Sequence, residues 1–85
     1  MKISVIIISY NVRSYLRQCL NSIYKSTGVN KIEIIVVDNF SFDNTCTMIR
    51  EEFPQVKLIE NDENKGFSFG VNQGIRASSC EFICL

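Results

Sequence analysis

The sequence contains no histidine and no tryptophan, and its 85 residues include one proline and four glycines. Without histidine, this chain cannot assemble a Ser-His-Asp or Cys-His catalytic arrangement or a histidine metal site from its own residues. A chain of this length forms one domain at most and buries only about 60–65% of its unfolded surface. We therefore expect a thin hydrophobic core.

An excess of charge of either sign is also missing. Nine Lys and Arg residues balance nine Asp and Glu residues, and the basic residues are scattered from Lys2 to Arg76. No basic stripe is available to hold a phosphate backbone, so nucleic acid is not an expected partner. The hydrophobic content of 46% and the charged content of 21% exclude a disordered tail.

No hydrophobic run approaches the roughly 20 residues that a membrane-spanning helix needs. The first ten residues, MKISVIIISY, are apolar, but Ser4 and Ser9 interrupt them and no small-residue cleavage site follows. We therefore expect a buried strand here rather than a signal peptide, and no membrane span.

The four cysteines lie within apolar patterns and lack the Cys-x-x-Cys spacing of a zinc site. They are Cys19, Cys46, Cys80 and Cys84. Free cysteine is among the most frequently buried residue types, so we expect reduced thiols in the core of a cytoplasmic protein.

Strands and helices alternate along the chain. We expect strands at Ile3–Ser9, Ile32–Asp38, Val56–Glu60 and Glu81–Leu85, and helices at Arg13 to about Lys25, ended by Gly28, from Cys46 to Phe53, closed by Pro54, and at Gly66–Ala77. This order predicts an α/β fold with a parallel sheet of about four strands, in the order 3-2-1-4. Three layers result, as half of a doubly wound, Rossmann-like fold, with the first two helices on one face of the sheet and the third helix on the other.

Local features predict how the helices begin and pack. Asn11 is positioned to cap the first helix, and Ser41 or Asp43 the second. Cys46, Ile49 and Phe53 form an apolar stripe on the second helix, and Phe67, Val71, Gly74 and Ile75 form one on the third. Gly66, Gly70 and Gly74 recur every four residues, which favours close packing on the sheet over a phosphate cradle.

Parallel strands bring their following loops to one rim of the sheet, where ligands of open α/β folds bind. The loop after the first strand contains no glycine, which excludes a dinucleotide fingerprint and a P-loop. Tyr10 can lie against a flat base, and Asp38 can accept hydrogen bonds from a base or a ribose. From spacing alone, an ordinary rim tyrosine and a capping or loop aspartate are equally consistent with the pattern.

Three stretches, VIIISYN, EIIVVDNFSFDNT and LIENDENKGFSFGVNQGI, in this order and spacing, resemble the amino-terminal half of a family 2 glycosyltransferase of the GT-A fold. The family transfers a sugar from a nucleotide diphosphate to an acceptor hydroxyl, usually with inversion and a divalent metal, Mn or Mg. The resemblance implies a nucleotide-diphosphate sugar as partner and, for the complete enzyme, a saccharide or lipid-linked acceptor in polysaccharide or glycoconjugate synthesis. It also allows a membrane-peripheral location for that enzyme.

The resemblance implies that Ser9, Tyr10 and Asn11 line the base end of the donor pocket and that Asp38 holds the base or the ribose. The full set of implied nucleotide-binding residues is Ser9, Tyr10, Asn11, Asp38, Asn39, Ser41, Asn64, Lys65, Gly66 and Asn72. In this set Lys65 either faces a phosphate or is solvated. Asp43 fits a helix cap better than a substrate contact, and Phe40 departs from the family, which often has a small residue such as glycine there.

The family's metal-binding acid pair follows the fourth strand, and its catalytic base lies further along the chain. The aspartates here form no such pair, and the acidic cluster Glu60, Asp62 and Glu63 has the pattern of a solvated loop. We therefore assign no catalytic residue and no metal ligand. Residues 1–85 are expected to be a single partial domain, the nucleotide-sugar-binding half, ending before the metal motif and inactive alone.

Two alternatives stay open. Strand residues Phe82–Leu85 expose an apolar edge that suits a non-catalytic α/β interaction or dimerisation module, with a homo-oligomer as the assembly. A nucleotide-binding domain without sugar chemistry is the other.

Overall fold

The computed structural model describes residues 3–27, 32–78 and 82–84. Along the chain they form β1 (Ile3–Ser9), α1 (Arg13–Thr27), β2 (Ile32–Asp38), α2 (Thr45–Glu52), β3 (Lys57–Glu60), α3 (Phe67–Ala77) and β4 (Phe82–Cys84). The strands pair in parallel in the order β3-β2-β1-β4. The predicted α/β architecture with a parallel sheet is confirmed, whereas the predictions for Gly28, Cys80, Glu81 and Leu85 lie outside the described residues.

The central strand β2 carries a continuous apolar run because both of its faces are covered. Ile34 and Val36 belong to a core shared with α1 and α2, whereas Ile35 and Val37 belong to a second core on the side of α3. Alternate side chains of a strand point to opposite faces, so the four residues divide evenly between the two cores. The predicted three layers are confirmed.

In the larger core, a stripe of buried side chains from each of the first two helices packs against the sheet. In α1, Leu16 and Leu20 are buried, and their spacing of four positions puts them on one face of the helix. In α2 the predicted stripe is partly wrong, because Met48 is buried beside Ile49 while Cys46 is only half-buried. A helix of eight residues presents only a narrow face, and the positions that meet the sheet are Thr45, Met48 and Ile49.

Helix α3 packs on the sheet through glycine. A Cβ atom at Gly74 would overlap the Cγ2 methyl of Ile6, and one at Gly70 would lie 3.0 Å from Cδ1 of Ile8. The packing role predicted for these two glycines is confirmed. Gly66 differs: a Cβ atom there meets nothing within 4 Å, and its φ of +84° places it in the turn that begins the helix.

The apolar face predicted for α3 is wrong in its larger members, since Phe67 and Ile75 are exposed at 64% and 44%. Ile75 lies about 100° around the helix from Gly74, which points its side chain past the sheet. The close approach of the backbone leaves room for small residues only.

Within the described ranges, no helix has the length and apolar character needed to cross a membrane.

Candidate functional site

The loops after β1 and β2 meet at one rim of the sheet. The two strands run in register, so Ser9 lies opposite Asp38, and the Asn39 N–H donates to the Ser9 carbonyl at 2.9 Å. The predicted sites at these two strand ends are therefore brought together. Tyr10, between Ser9 and Asn11, is 45% exposed at the same rim.

The Asp38 carboxylate is the hub of this rim, although it is only 2% exposed. Its Oδ1 accepts hydrogen bonds from the Ser9 hydroxyl at 2.9 Å and from the Ser41 hydroxyl at 2.6 Å. Its Oδ2 accepts one from the Ser41 N–H at 2.8 Å. A carboxylate has about four acceptor sites, so the chain's own donors occupy most of them. Hydrogen bonds to a charged acceptor are the stronger kind, which makes the two loops one unit.

Asn11 also joins the loop after β1 to the loop after β2 through hydrogen bonds. Its N–H donates to the Ser41 hydroxyl at 2.9 Å, and its side-chain oxygen accepts from the Phe42 N–H at 2.7 Å. The prediction that Asn11 caps α1 is wrong, because its side chain is committed to the neighbouring loop.

Asp43 caps α1 instead. Its Oδ2 accepts from the Arg13 N–H at 3.0 Å, and its Oδ1 accepts from the N–H of Thr45 at 3.2 Å and from the Thr45 hydroxyl. Asp43 thus serves the start of α2 as predicted, but from the position before the N-cap residue Asn44, whose own side chain makes no capping bond, and it serves the start of α1 as well. Burial opposes ionisation of Asp43, but these hydrogen bonds outweigh it and hold the pKa of its carboxyl below the usual value.

Backbone strain is concentrated in these loops. Among the described residues, the non-glycine positions with positive φ are Asn11 at 52°, Phe40 at 71° and Asn44 at 64°. A positive φ favours glycine, so the Phe40 side chain is held in a backbone conformation that L residues rarely adopt. The Phe40 ring is 44% exposed and packs edge-on against Phe42, with the ring centroids 4.9 Å apart.

A cavity of about 260 Å³ opens beside Asp38. Its wall combines the two phenylalanines, the first turn of α2 and the ion pair between Arg50 and Glu60. The Cys46 thiol also lines it, and burial together with the charge of Asp38 raises the pKa of this thiol to about 11. Cys46 therefore stays protonated at neutral pH, and the cavity offers hydrogen bonds and aromatic edges rather than a nucleophile.

The loop between β3 and α3 is joined to the rim through buried amides. The Asn39 side chain donates to the Gly66 carbonyl at 3.3 Å, and its oxygen accepts from the Lys65 N–H at 3.5 Å. The same oxygen accepts from the Asn61 side chain at 2.9 Å. Asn61, and Gln73 bonded to it, are site residues that the sequence analysis missed. One feature of the sequence could have indicated Asn61: it directly follows β3, as Asn39 directly follows β2.

The other predicted residues of this region divide into two groups. The Asn64 side chain accepts from the Gly66 N–H at 3.0 Å, and the Lys65 ammonium lies 5.1 Å from the centroid of the Phe69 ring. Asn72 is exposed, and it lies about 200° around α3 from Gly70, on the side opposite the sheet. The structure thus gathers the predicted residues onto the rim loops with the exception of Asn72.

A metal site does not fit the residues present. In the part of the chain that the structure describes, no group of three His, Cys, Asp or Glu side chains could hold an ion. Of the acidic cluster, Glu60 is paired with Arg50, and Asp62 and Glu63 are exposed. We derive no metal-dependent step from this chain.

The sequence of this chain is similar to those of known proteins. The family described as Glycosyl transferase family 2 matches residues 4–85. The chain is 39% identical to "Glycosyltransferase GlyA" of Streptococcus pneumoniae over 96% of its own length and 12% of the relative's. It is 36% identical to "Uncharacterized glycosyltransferase alr2836" of Nostoc sp. over 98% of its length and 26% of the relative's. The chain therefore spans about a quarter or less of these two relatives.

Solved structures are similar at the level of fold. The mannosyltransferase PcManGT from Pyrobaculum calidifontis, in complex with GDP-Man and Mn2+, matches with a TM-score of 0.84 and 28% identity, over 96% of this chain and 26% of that one. Staphylococcus aureus TarS in complex with UDP-GlcNAc matches with a TM-score of 0.85 and 29% identity, over 98% and 25%. Because the family match covers nearly all of its residues, this chain belongs to glycosyl transferase family 2 and has the GT-A type of fold.

Proposed function

We propose that this chain supplies donor-nucleotide recognition for a glycosyltransferase that moves a sugar from a nucleotide-diphosphate sugar to an acceptor hydroxyl with inversion. The observation that carries the proposal is the rim organised by Asp38, where Ser9, Asn11 and Ser41 hold two loops in one arrangement. The nucleotide sugars bound by PcManGT and TarS support the ligand class. These two relatives carry different bases, so the base stays unassigned.

In this proposal the rim binds the nucleoside end of the donor. Tyr10 offers an exposed ring against which a base can lie, and the Asp38 carboxylate is assigned to a base N–H or a ribose hydroxyl. Lys65 and the Asn64–Gly66 turn follow the third strand at the same rim and are assigned to the ribose-diphosphate side.

The described residues supply binding and orientation but no assigned general base. Inverting transfer needs a group that removes the proton of the acceptor hydroxyl. We therefore propose that the 85-residue chain binds a nucleoside diphosphate weakly and does not turn over donor.

Calorimetric titration with UDP and GDP tests the proposal. We expect Tyr10→Ala to weaken binding about three- to tenfold through lost stacking, and Asp38→Asn to weaken it about tenfold through a lost charged acceptor. Tyr15→Ala and Glu51→Gln are controls at exposed helix positions away from the strand ends and should bind as the wild type does. Equal losses in the controls, or donor hydrolysis by the chain itself, would contradict the proposal.

The alternative of a non-catalytic interaction module predicts a different result. Such a module forms a discrete dimer and shows no heat of binding with either nucleotide. The heat of nucleotide binding distinguishes the two functions, and light scattering on the titrated sample shows whether a discrete dimer accompanies its absence.

A further inference from the structure

Asn61 and Gln73 form a reciprocal amide pair beside the rim. The Asn61 amide nitrogen donates to the Gln73 side-chain oxygen at 2.8 Å, and the Gln73 nitrogen donates to the Asn61 oxygen at 2.8 Å. Asn61 is only 8% exposed. The pair joins the end of β3 to the middle of α3.

This pair belongs to a three-amide cluster that holds the following loop. Asn61 also donates to the Asn39 oxygen, and Asn39 holds the backbone of Lys65 and Gly66. The Asn61 N–H in turn donates to the Asp38 carbonyl at 2.9 Å. The loops after β2 and β3 are thereby linked through side chains that lie behind the rim.

The cluster allows one arrangement of its amides. The Asn61 nitrogen gives both of its protons, to Asn39 and to Gln73, and its oxygen accepts from Gln73. Reversing any one amide would set donor against donor or acceptor against acceptor, and a buried polar group without a partner is costly. In the described ranges, no buried side-chain nitrogen or oxygen lacks a hydrogen bond. A site that is held in its binding arrangement loses less entropy when the ligand binds.

We propose that Asn61 and Gln73 are positioning residues, which set the Asn64–Gly66 turn against the Asp38 rim and thereby raise affinity for a nucleoside diphosphate. The inference rests on the proposed function. Asn61 lines the cavity beside Asp38 and Gln73 does not, so Gln73 acts only through Asn61, Asn39 and the backbone that Asn39 holds.

The variant Gln73→Glu tests the role through its pH dependence. At pH 7.5 the new carboxylate accepts from Asn61 but cannot donate to the Asn61 oxygen, so affinity for UDP should fall about tenfold. A protonated glutamic acid again offers one donor and one acceptor, and an unperturbed Glu has a pKa of about 4.3, which burial raises. We therefore expect the variant to approach the wild-type affinity at about pH 5.

Two further variants sharpen the test. Gln73→Met has a similar length and leaves the Asn61 oxygen without the Gln73 donor at every pH, so its loss of affinity should not recover on acidification. Gln18→Glu makes the same charge change at an exposed position of α1 and should follow the wild type. Affinity is taken as the ratio of variant to wild type at each pH, which cancels the titration of the diphosphate itself.

The outcomes separate the inference from the function on which it rests. Hydrogen exchange of the Lys65 and Gly66 amides, without nucleotide, should be faster in Gln73→Glu at pH 7.5 than in the wild type. If the wild type binds UDP and the variant ratio stays at one at pH 7.5, the positioning role is wrong and the cluster serves stability alone. If the wild type binds neither UDP nor GDP, the proposed function fails, and the affinity role fails with it.

Discussion

Asp43 shows how much one side chain contributes when it serves two elements. One carboxylate oxygen accepts a hydrogen bond from the N–H of Arg13, the first residue of α1, and the other accepts one from the N–H of Thr45, the first residue of α2. These two residues are 32 positions apart in the sequence. Each helix start has backbone N–H groups without partners inside the helix, and an aspartate there also interacts favourably with the helix dipole. Asp43 thus joins the starts of the two helices that cover one face of the sheet.

We expect Asp43→Ala to lower the free energy of unfolding by about 2 kcal/mol, at about 1 kcal/mol for each lost cap. The pKa of Asp43 is lowered on folding, so its stabilisation is present above the unfolded pKa and disappears as pH falls through the folded value. The difference between wild type and variant in urea unfolding should therefore shrink below about pH 4. The exposed Asp62→Ala is the control, and an equal loss in both variants would refute the capping role.

At the scale of elements, α3 approaches the sheet on its glycines. Gly70 and Gly74 are buried against Ile8 and Ile6, and the distance of the helix from the sheet depends on the missing Cβ atoms. This close approach brings Gln73 within hydrogen-bonding distance of Asn61, and so links the packing of the helix to the amide cluster.

Gly74→Ala should lower the free energy of unfolding by about 1–3 kcal/mol, because the added methyl overlaps the side chain of Ile6. Gly70→Ala is the matched comparison. Its added methyl meets the flexible end of Ile8 at 3.0 Å, and alanine gains about 1 kcal/mol in helix propensity, so its effect should be close to neutral. Thermal unfolding followed by circular dichroism measures both, and equal effects would mean that the helix is free to move away from the sheet.

At the scale of the whole molecule, two cores lie on the two faces of the sheet, and the candidate site lies at the rim where the loops after the strands meet. An apolar groove of about 510 Å³ lies between β1 and α1. It is lined by Val5, Ile7, Ile8, Val12, Tyr15, Leu16, Cys19 and Ile23. Exposed apolar surface of this kind favours association.

The 85-residue chain should therefore self-associate at high concentration through this groove. Tyr15 lines this groove and is 69% exposed, so a substitution there tests the prediction. Tyr15→Lys should lower the average mass seen by light scattering towards that of a monomer, whereas Ser14→Lys, exposed on the same helix outside the groove, should not. An unchanged concentration dependence in Tyr15→Lys would place the contact elsewhere.

The sequence by itself determined the order of elements and the two-sided burial of β2. The run Ile34–Val37 and the α1 stripe at Leu16 and Leu20 are periodic patterns, and such periodicity follows from local backbone geometry. The stretches VIIISYN, EIIVVDNFSFDNT and LIENDENKGFSFGVNQGI were also enough to indicate the family. Where local patterns misled, as at Phe67 and Ile75, the close approach of α3 overrode the apolar stripe.

Only the tertiary structure decided which polar groups pair at the rim. A short polar side chain can bond to many donors, and the choice of Ser9 and Ser41 for Asp38, or of Gln73 for Asn61, depends on which loops meet. The capping of α1 by Asp43 rather than by Asn11 joins residues 30 positions apart. No local pattern contains that information, because these bonds form only after the sheet has brought the ends of its strands together.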